Sequence, residues 1–244
     1  MREERLPGGW VNEVVRVGDT VRRRPGERAG YVHRLLRHFE RQGWTGSPRL
    51  LGTDDDGREI LTYLPGHVPW TSPAAGVSSP ESLAGVARLV RRFHDLTAGT
   101  PLAEGHEVVC HNDLSPKNTV YEDDGAGSRP VAFIDWDMAA PGERVHDVAH
   151  VCWQYLDLGP GVSDVAAAAR GVRLICDAYG PIERGRVVDT ILWWQDRCRR
   201  GILAAAGAGD PAMIRLRDHG VADAVLEAHD WVAANRDALD SALA

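Results

Sequence analysis

The stretch CHNDLSPKNTVY, residues 110–121, decides how the rest of this chain is read. It sets a histidine, an aspartate and an asparagine at 111, 113 and 118, between an apolar approach at Val108–Cys110 and a β-prone exit at Asn118–Tyr121. Taken alone, such residues make a polar loop, because short Asx side chains bond nearby backbone. A second apolar run, Val131–Ile134, delivers Asp135, and the intervening EDDGAGSRP (122–130) reads as a hairpin turn. Pairing the two strands brings Asn118 and Asp135 together at one end, facing Asp113. Two carboxylates and a carboxamide then offer hard oxygen donors alone. These suit magnesium or manganese carried on phosphates and do not suit zinc.

That set of groups matches phosphoryl transfer to a hydroxyl. The protein must orient the nucleophile, hold metal at the phosphates and neutralise developing charge. A loop aspartate meets the hydroxyl proton, an asparagine five residues later holds one metal, and an aspartate on the next hairpin holds another. Asp113 to Asn118 is that five-residue step, and His111–Asn118 follows the kinase catalytic-loop pattern with Asn112 in place of arginine.

Working outward, the N-terminal third alternates short strands with one helix. Trp10–Val17 and Thr20–Arg24 flank a Gly18-Asp19 turn and predict a hairpin, preceded by a Pro7-Gly8-Gly9 leader. Val32, Leu35, Leu36 and Phe39 fall at helical spacing within Tyr31–Gln42. Two strands, Arg49–Thr53 and Glu59–Leu64, follow before YLPG at 63–66 breaks the sheet. A stretch rich in proline, serine and glycine crosses over 65–81, then a helix is expected over Ser82–Leu96. Beyond the 107–135 hairpin the chain reads as helical, over 144–157, 163–179, 183–206, 210–219 and 221–243. The expected class is α+β, with a small β-rich lobe over 1–64 and a larger, mainly helical lobe over 65–244.

CHNDLSPKN followed by FIDWDMAAPGERVHDVAH (133–150) resembles the aminoglycoside phosphotransferase family, small-molecule kinases with a two-lobed protein-kinase-like fold. The resemblance implies ATP or GTP as co-substrate, Mg2+ as cofactor and a small hydroxylated acceptor, an aminoglycoside first and a choline, homoserine, nucleoside or macrolide type as alternatives, with antibiotic resistance as the setting. It implies Asp113 as catalytic base, Asn118 and Asp135 as metal ligands, and His111 as structural support of the loop. Asp147 then anchors the loop after Asp135 from a helix start, and backbone around Thr62, Tyr63 and Leu64 meets the adenine. The family's ATP-positioning lysine has no counterpart here, since Lys117 is the chain's one lysine. Arg22 is the expected substitute, with Arg23 one step out of register. Where the first helix should offer a glutamate stand Val32-His33, leaving Glu27 as a substitute.

Asp157, Glu183, Asp189 and Asp196, with Trp193, are candidate acceptor contacts, each also readable as ordinary helix surface or core. His33 and His38, five apart, lack the four-residue step of a helical zinc pair. Formal net charge is −7, and the arginine runs at 22–28 and 197–201 are interrupted, which argues against a nucleic-acid partner. Cysteines at 110, 152, 176 and 198 show neither metal spacing nor CxxC pairs. With no apolar run of membrane length and no signal-like start, the sequence predicts a cytoplasmic protein without a membrane partner. Two rivals are a nucleotide-binding module without catalysis, motivated by the missing lysine, and a carboxylate-pair hydrolase using Asp113 and Asp135. The second leaves Asn118 unexplained.

Overall fold

The computed structural model describes residues 3–7, 14–70, 76–123 and 127–244. The Gly8-Gly9 leader, the Trp10–Glu13 part of the expected hairpin, residues 71–75 of the crossing and the hairpin tip at 124–126 lie outside the described residues.

The N-terminal part is an antiparallel sheet with one helix. Strands β1 (Glu4–Arg5), β2 (Val14–Val17), β3 (Thr20–Arg23), β4 (Leu50–Thr53) and β5 (Glu59–Thr62) assemble in the order β1-β2-β3-β5-β4. Gly18, at φ 61°, supplies the left-handed residue that turns β2 into β3. In the β3–β5 register Arg22 lies opposite Ile60 and Arg23 opposite Glu59. Successive strand side chains point to opposite faces, so these two arginines serve different sides of the sheet.

Helix α1 (Ala29–Arg41) buries Tyr31, Val32, Leu35, Leu36 and Phe39, the face its apolar spacing foretold. Phe39 reaches past its own sheet to Trp44 at 4.6 Å and Trp136 at 5.1 Å between ring centres. Trp136 directly follows Asp135, so the aromatic cluster under α1 also supports the turn that carries that carboxylate. One hydrophobic core therefore runs through both parts of the molecule.

The crossing between the parts is pinned at Gly66 and His67. His67 and Tyr121 exchange both backbone hydrogen bonds at 2.9 Å. Gly66 sits at φ 135°, and a Cβ there would lie 2.5 Å from the Tyr121 carbonyl oxygen, so no other residue fits without moving backbone.

Helix α2 (Pro80–Thr97) starts at Ser79, whose hydroxyl accepts the Ser82 N–H, with proline at its first position. Two small antiparallel pairs then frame the centre, β6 (Val108–Cys110) with β9 (Ala140–Gly142) and β7 (Thr119–Asp123) with β8 (Ser128–Phe133). Strand β9 escapes sequence reading because Pro141 occupies its middle, tolerable only where one partner is paired. Helices α3 (Arg144–Tyr155), α4 (Val165–Tyr179), α5 (Val187–Gly207), α6 (Pro211–Asp218), α7 (Val221–Ala234) and α8 (Arg236–Leu243) complete the chain. The helix expected over 221–243 divides at Asn235, whose amide bonds back to the Trp231 carbonyl at 2.8 Å. Among the described residues, no helix is long and apolar enough to cross a membrane.

Candidate active site

The loop between β6 and β7 carries Asp113 and Asn118. Asn118, almost fully buried, donates from Nδ2 both to the Asp113 carbonyl and to Asp113 Oδ2, each at 2.8 Å. With its nitrogen spent on Asp113, the amide presents its carbonyl oxygen as the remaining ligand. Pairing of Thr119 with Phe133, and the Ile134 N–H on the Asn118 carbonyl at 2.9 Å, set Asp135 beside it at the end of the hairpin. Asn112 and Asp135 both adopt φ 64°. Asn and Asp are the side chains that best tolerate this region, and each lets its loop reverse sharply at the cleft. The oxygen-only donor set of Asn118 and Asp135, with Asp135 half exposed on its side chain, fits a hard divalent cation.

The loop is held from beneath. Asp147, wholly buried in the first turn of α3, accepts the His111 N–H at 2.7 Å on Oδ2 and the Asn112 N–H at 3.0 Å on Oδ1. Resemblance assigned Asp147 to the loop after Asp135; its carboxylate instead secures the catalytic loop itself. The Asp135 turn is tied on by other bonds, His111 Nε2–H to the Ile134 carbonyl at 3.0 Å and Asn112 Nδ2 to the Met138 carbonyl at 3.0 Å. His111 thus supports the site structurally, and its ring packs 4.5 Å from Trp136.

Two further histidines complete this support. His94 of α2 donates from Nε2 to Asp147 Oδ2 at 3.0 Å, and its Nδ1 accepts from the Tyr179 hydroxyl at 2.8 Å. His150, three residues after Asp147 on the same face of α3, donates from Nδ1 to the Leu114 carbonyl at 2.8 Å. Burial drives the Asp147 carboxyl upward, but the hydrogen bond from His94 and the neighbouring histidines and Asn112 amide outweigh it and hold the group below the ordinary value. Burial likewise holds His94 and His150 below the ordinary imidazole value, so both stay neutral donors. His94, Cys110 and Asp147 also lie close enough to hold a metal, yet their ligand atoms are already engaged, Cys110 Sγ with the Glu143 carbonyl at 3.2 Å.

The small lobe contributes Arg23. Arg22, the expected residue, points away and meets Asp54 at 3.4 Å. Arg23 faces the cleft and is nearly buried. It donates Nε–H to Glu59 at 2.5 Å, Nη1–H to Asp135 at 2.9 Å, and bonds from both Nη atoms to Asp137 at 3.1 and 2.5 Å. Strand alternation decides the matter, since neighbouring positions on β3 must diverge. Burial alone would lower the guanidinium pKa, but Asp137, Glu59 and Asp135 together raise it. Asp137 is therefore part of the clamp; burial pushes its carboxyl up, against the opposing pull of Arg23. Nor does Glu27 substitute for the helix glutamate. Glu59, on the strand next to Arg23, is the carboxylate that accepts its Nε–H, and its Oε2 meets His33 Nε2 of α1 at 2.8 Å.

At the hinge, the Thr62 N–H bonds to the Arg49 carbonyl and the Tyr63 N–H to the Asp19 carbonyl, at 3.0 and 2.9 Å. The Tyr63 ring lies under the Arg16 guanidinium at 3.7 Å. The backbone N–H groups of Thr62 and Tyr63 are thus both taken within the sheet region.

The acceptor candidates do not gather into one acidic pocket. Asp189 pairs with Arg236 at 2.6 Å, Asp196 with Arg200 at 2.7 Å and Glu183 with Arg186 at 3.4 Å, while Asp157 stands exposed after α3 at φ 48°. Trp193, exposed, stacks on His146 at 5.3 Å, one residue from Asp147. On α5 the Cys198 thiol is raised by burial and then by Asp113, with Lys117 opposing.

A small sheet hinged over a helical lobe, with Asp113, Asn118 and Asp135 converging under a sheet-borne cation, defines a small-molecule phosphotransferase of protein-kinase-like fold. Residues 98–183 match the Phosphotransferase enzyme family. The chain is 32% identical over 212 residues to the trifolitoxin immunity protein of Rhizobium leguminosarum bv. trifolii, covering 77% of this chain and 78% of that one. It belongs to the phosphotransferase enzyme family. In fold it is similar to a choline/ethanolamine kinase family protein of Mesorhizobium loti, with TM-score 0.60 and 18% identity over 100% of this chain and 92% of that one. It is also similar to the aminoglycoside phosphotransferase APH(3'')-Id of Streptomyces rimosus in complex with ADP and streptomycin, with TM-score 0.56 and 15% identity over 79% and 90% of the two chains.

Proposed function

We propose that this protein transfers the γ-phosphoryl group of ATP or GTP to a hydroxyl of a small acceptor, with residues 1–64 as the nucleotide lobe and 65–244 as the catalytic and acceptor lobe. The observation that carries the reading is the pair of hydrogen bonds from Asn118 Nδ2 to Asp113, which fixes a carboxylate and a ligand oxygen in one rigid unit opposite Asp135. Asp113 accepts the hydroxyl proton and aims the attacking oxygen in line with the phosphorus. Asn118 and Asp135 would hold Mg2+, which when bound supplies charge neutralisation at the phosphates. Arg23 offers bidentate donors to phosphate oxygens, a role its planar fork suits. Nucleotide base contacts fall to Thr62–Leu64, chiefly to Leu64 and to carbonyl groups.

Helix α5 is the acceptor wall in this reading, because the Asp113 charge is felt at the Cys198 thiol and Trp193 stands exposed five residues earlier on the same helix. The arginine pairing of Glu183, Asp189 and Asp196 does not favour a polycation over other hydroxylated acceptors. A module that binds nucleotide without catalysis rested on a missing cation, and Arg23 removes that motive. The test is acceptor-dependent release of nucleoside diphosphate across aminoglycosides, choline, ethanolamine and other hydroxylated molecules, with mass spectrometry of the acceptor. An acceptor gaining one phosphate, and losing that gain in Asp113→Asn, supports the reading. Steady transfer by the Asp113→Asn protein would refute the role given to Asp113.

A further inference from the structure

Arg23 is gripped by the sheet at one edge and turned to the cleft carboxylates at the other. A guanidinium has five N–H donors in a fixed fork. Here the Nε edge goes to Glu59 Oε1, and the Nη atoms are turned toward Asp135 and Asp137 in the cleft. Glu59 is 2% exposed, and its second oxygen is taken by His33 of α1, so it is held from both sides. Arg23 and Glu59 are also direct partners across β3 and β5. Facing residues in antiparallel strands keep their Cβ atoms about 4.5–5.5 Å apart, whatever a neighbouring helix does.

In protein kinases the corresponding cation is a lysine paired with a glutamate on a helix, and that pair depends on the helix position. This chain carries His33 on the helix and the carboxylate on the sheet. We propose that Glu59 is the positioning residue for Arg23, so that strand register, and not the placement of α1, aims the cation at the nucleotide phosphates. The inference rests on the phosphotransferase reading.

Its consequence is an exchange at the cleft side only. Three carboxylates surround one guanidinium before loading. When nucleotide enters, the Nη donors pass from Asp135 and Asp137 to phosphate oxygens, which frees Asp135 as a ligand while the Glu59 bond persists. A guanidinium without Glu59 keeps its charge but loses its aim, because Glu59 is the partner of its Nε among the described residues.

The test is titration of the full chain with Mg·ADP, which needs neither acceptor nor turnover. Glu59→Gln is expected to weaken binding about tenfold, the size of one charge-assisted hydrogen bond. The double variant His33→Glu with Glu59→Gln, which moves the carboxylate from strand to helix, recovers most of that loss. A merely structural glutamate would not be replaced from another element. Arg22→Ala serves as a control for general damage to β3. If Glu59→Gln is unstable, Glu59→Asp retains the charge one methylene shorter, and its affinity should fall about two- to fivefold. Folded Glu59 variants that bind Mg·ADP as tightly as wild type overturn the inference alone. A wild-type protein that binds no Mg·ADP overturns the phosphotransferase reading, and the inference with it.

Discussion

The catalytic loop and the small-lobe clamp serve the same cleft but are built on different logic. The loop is local: Asp113 and Asn118 lie five residues apart, and their supports, Asp147, His94, His111 and His150, are buried and each bonded to the loop or to one another. The clamp is distant in sequence, joining Arg23 to Glu59, Asp135 and Asp137 from three elements. The loop gains precision from redundancy, whereas the clamp gains it from strand register. Damage to the first should stop chemistry or folding, and damage to the second should weaken nucleotide binding.

The largest effect expected is on turnover. Asp113→Asn should lower kcat by about 10³-fold, the typical worth of a positioned general base. Initial-rate assays on an identified acceptor measure this, and a fall of less than tenfold would place the proton acceptor elsewhere. Next comes stability at the loop's support. Asp147→Ala leaves two backbone N–H groups and His94 without their buried acceptor. A loss of about 3–5 kcal/mol in urea unfolding follows, since each buried donor left unsatisfied costs about 1–3 kcal/mol. A loss under 1 kcal/mol, about the worth of one ordinary hydrogen bond, would show that water replaces the carboxylate freely.

The clamp gives intermediate effects. Arg23→Ala should weaken Mg·nucleotide binding about 10- to 100-fold, and Arg22→Ala less than about twofold, as calorimetric titration can resolve. The reverse order would mean that β3 is shifted by one residue. The smallest effect is one of pH. Burial depresses His94, His146 and His150 below their ordinary value of 6.5 in the folded protein. The unfolded chain therefore takes up these protons first, so their stabilising contribution is complete above that value and is lost as pH falls through the lower folded values. Thermal melts from about pH 7.5 to about pH 5.5 should show a falling midpoint. A midpoint that rises over this window would contradict neutral, buried histidines.

The contrast also explains what could be read from sequence. Asp113, Asn118 and Asp135 were legible because their chemistry is fixed by spacing along the chain and by one tight hairpin. The apolar period of α1 likewise survives in sequence, since Val32, Leu35, Leu36 and Phe39 all turn inward. Arg23 was missed by one position because β3 is four residues long and polar at both candidate sites, so neither face announces itself. Alternation from the buried Val15 and Val17 could not settle it without the hairpin pairing. Glu59 was hidden for a deeper reason: its role depends on which strand neighbours β3, and here β5 stands between β3 and β4. His150 did leave a signal, three residues from Asp147 on one helical face. Of the acidic residues of the last third, Asp189 meets Arg236 from a position that helix packing decides, whereas Asp196–Arg200 and Glu183–Arg186 are pairs four and three residues apart.

The most direct test of the central claim, that one site does chemistry and the other holds nucleotide, is Mg·ATP binding by wild type, Asp113→Asn and Arg23→Ala side by side. The account predicts that Asp113→Asn binds within about twofold of wild type and that Arg23→Ala binds at least about tenfold more weakly. Loss of binding in Asp113→Asn with binding intact in Arg23→Ala would contradict it.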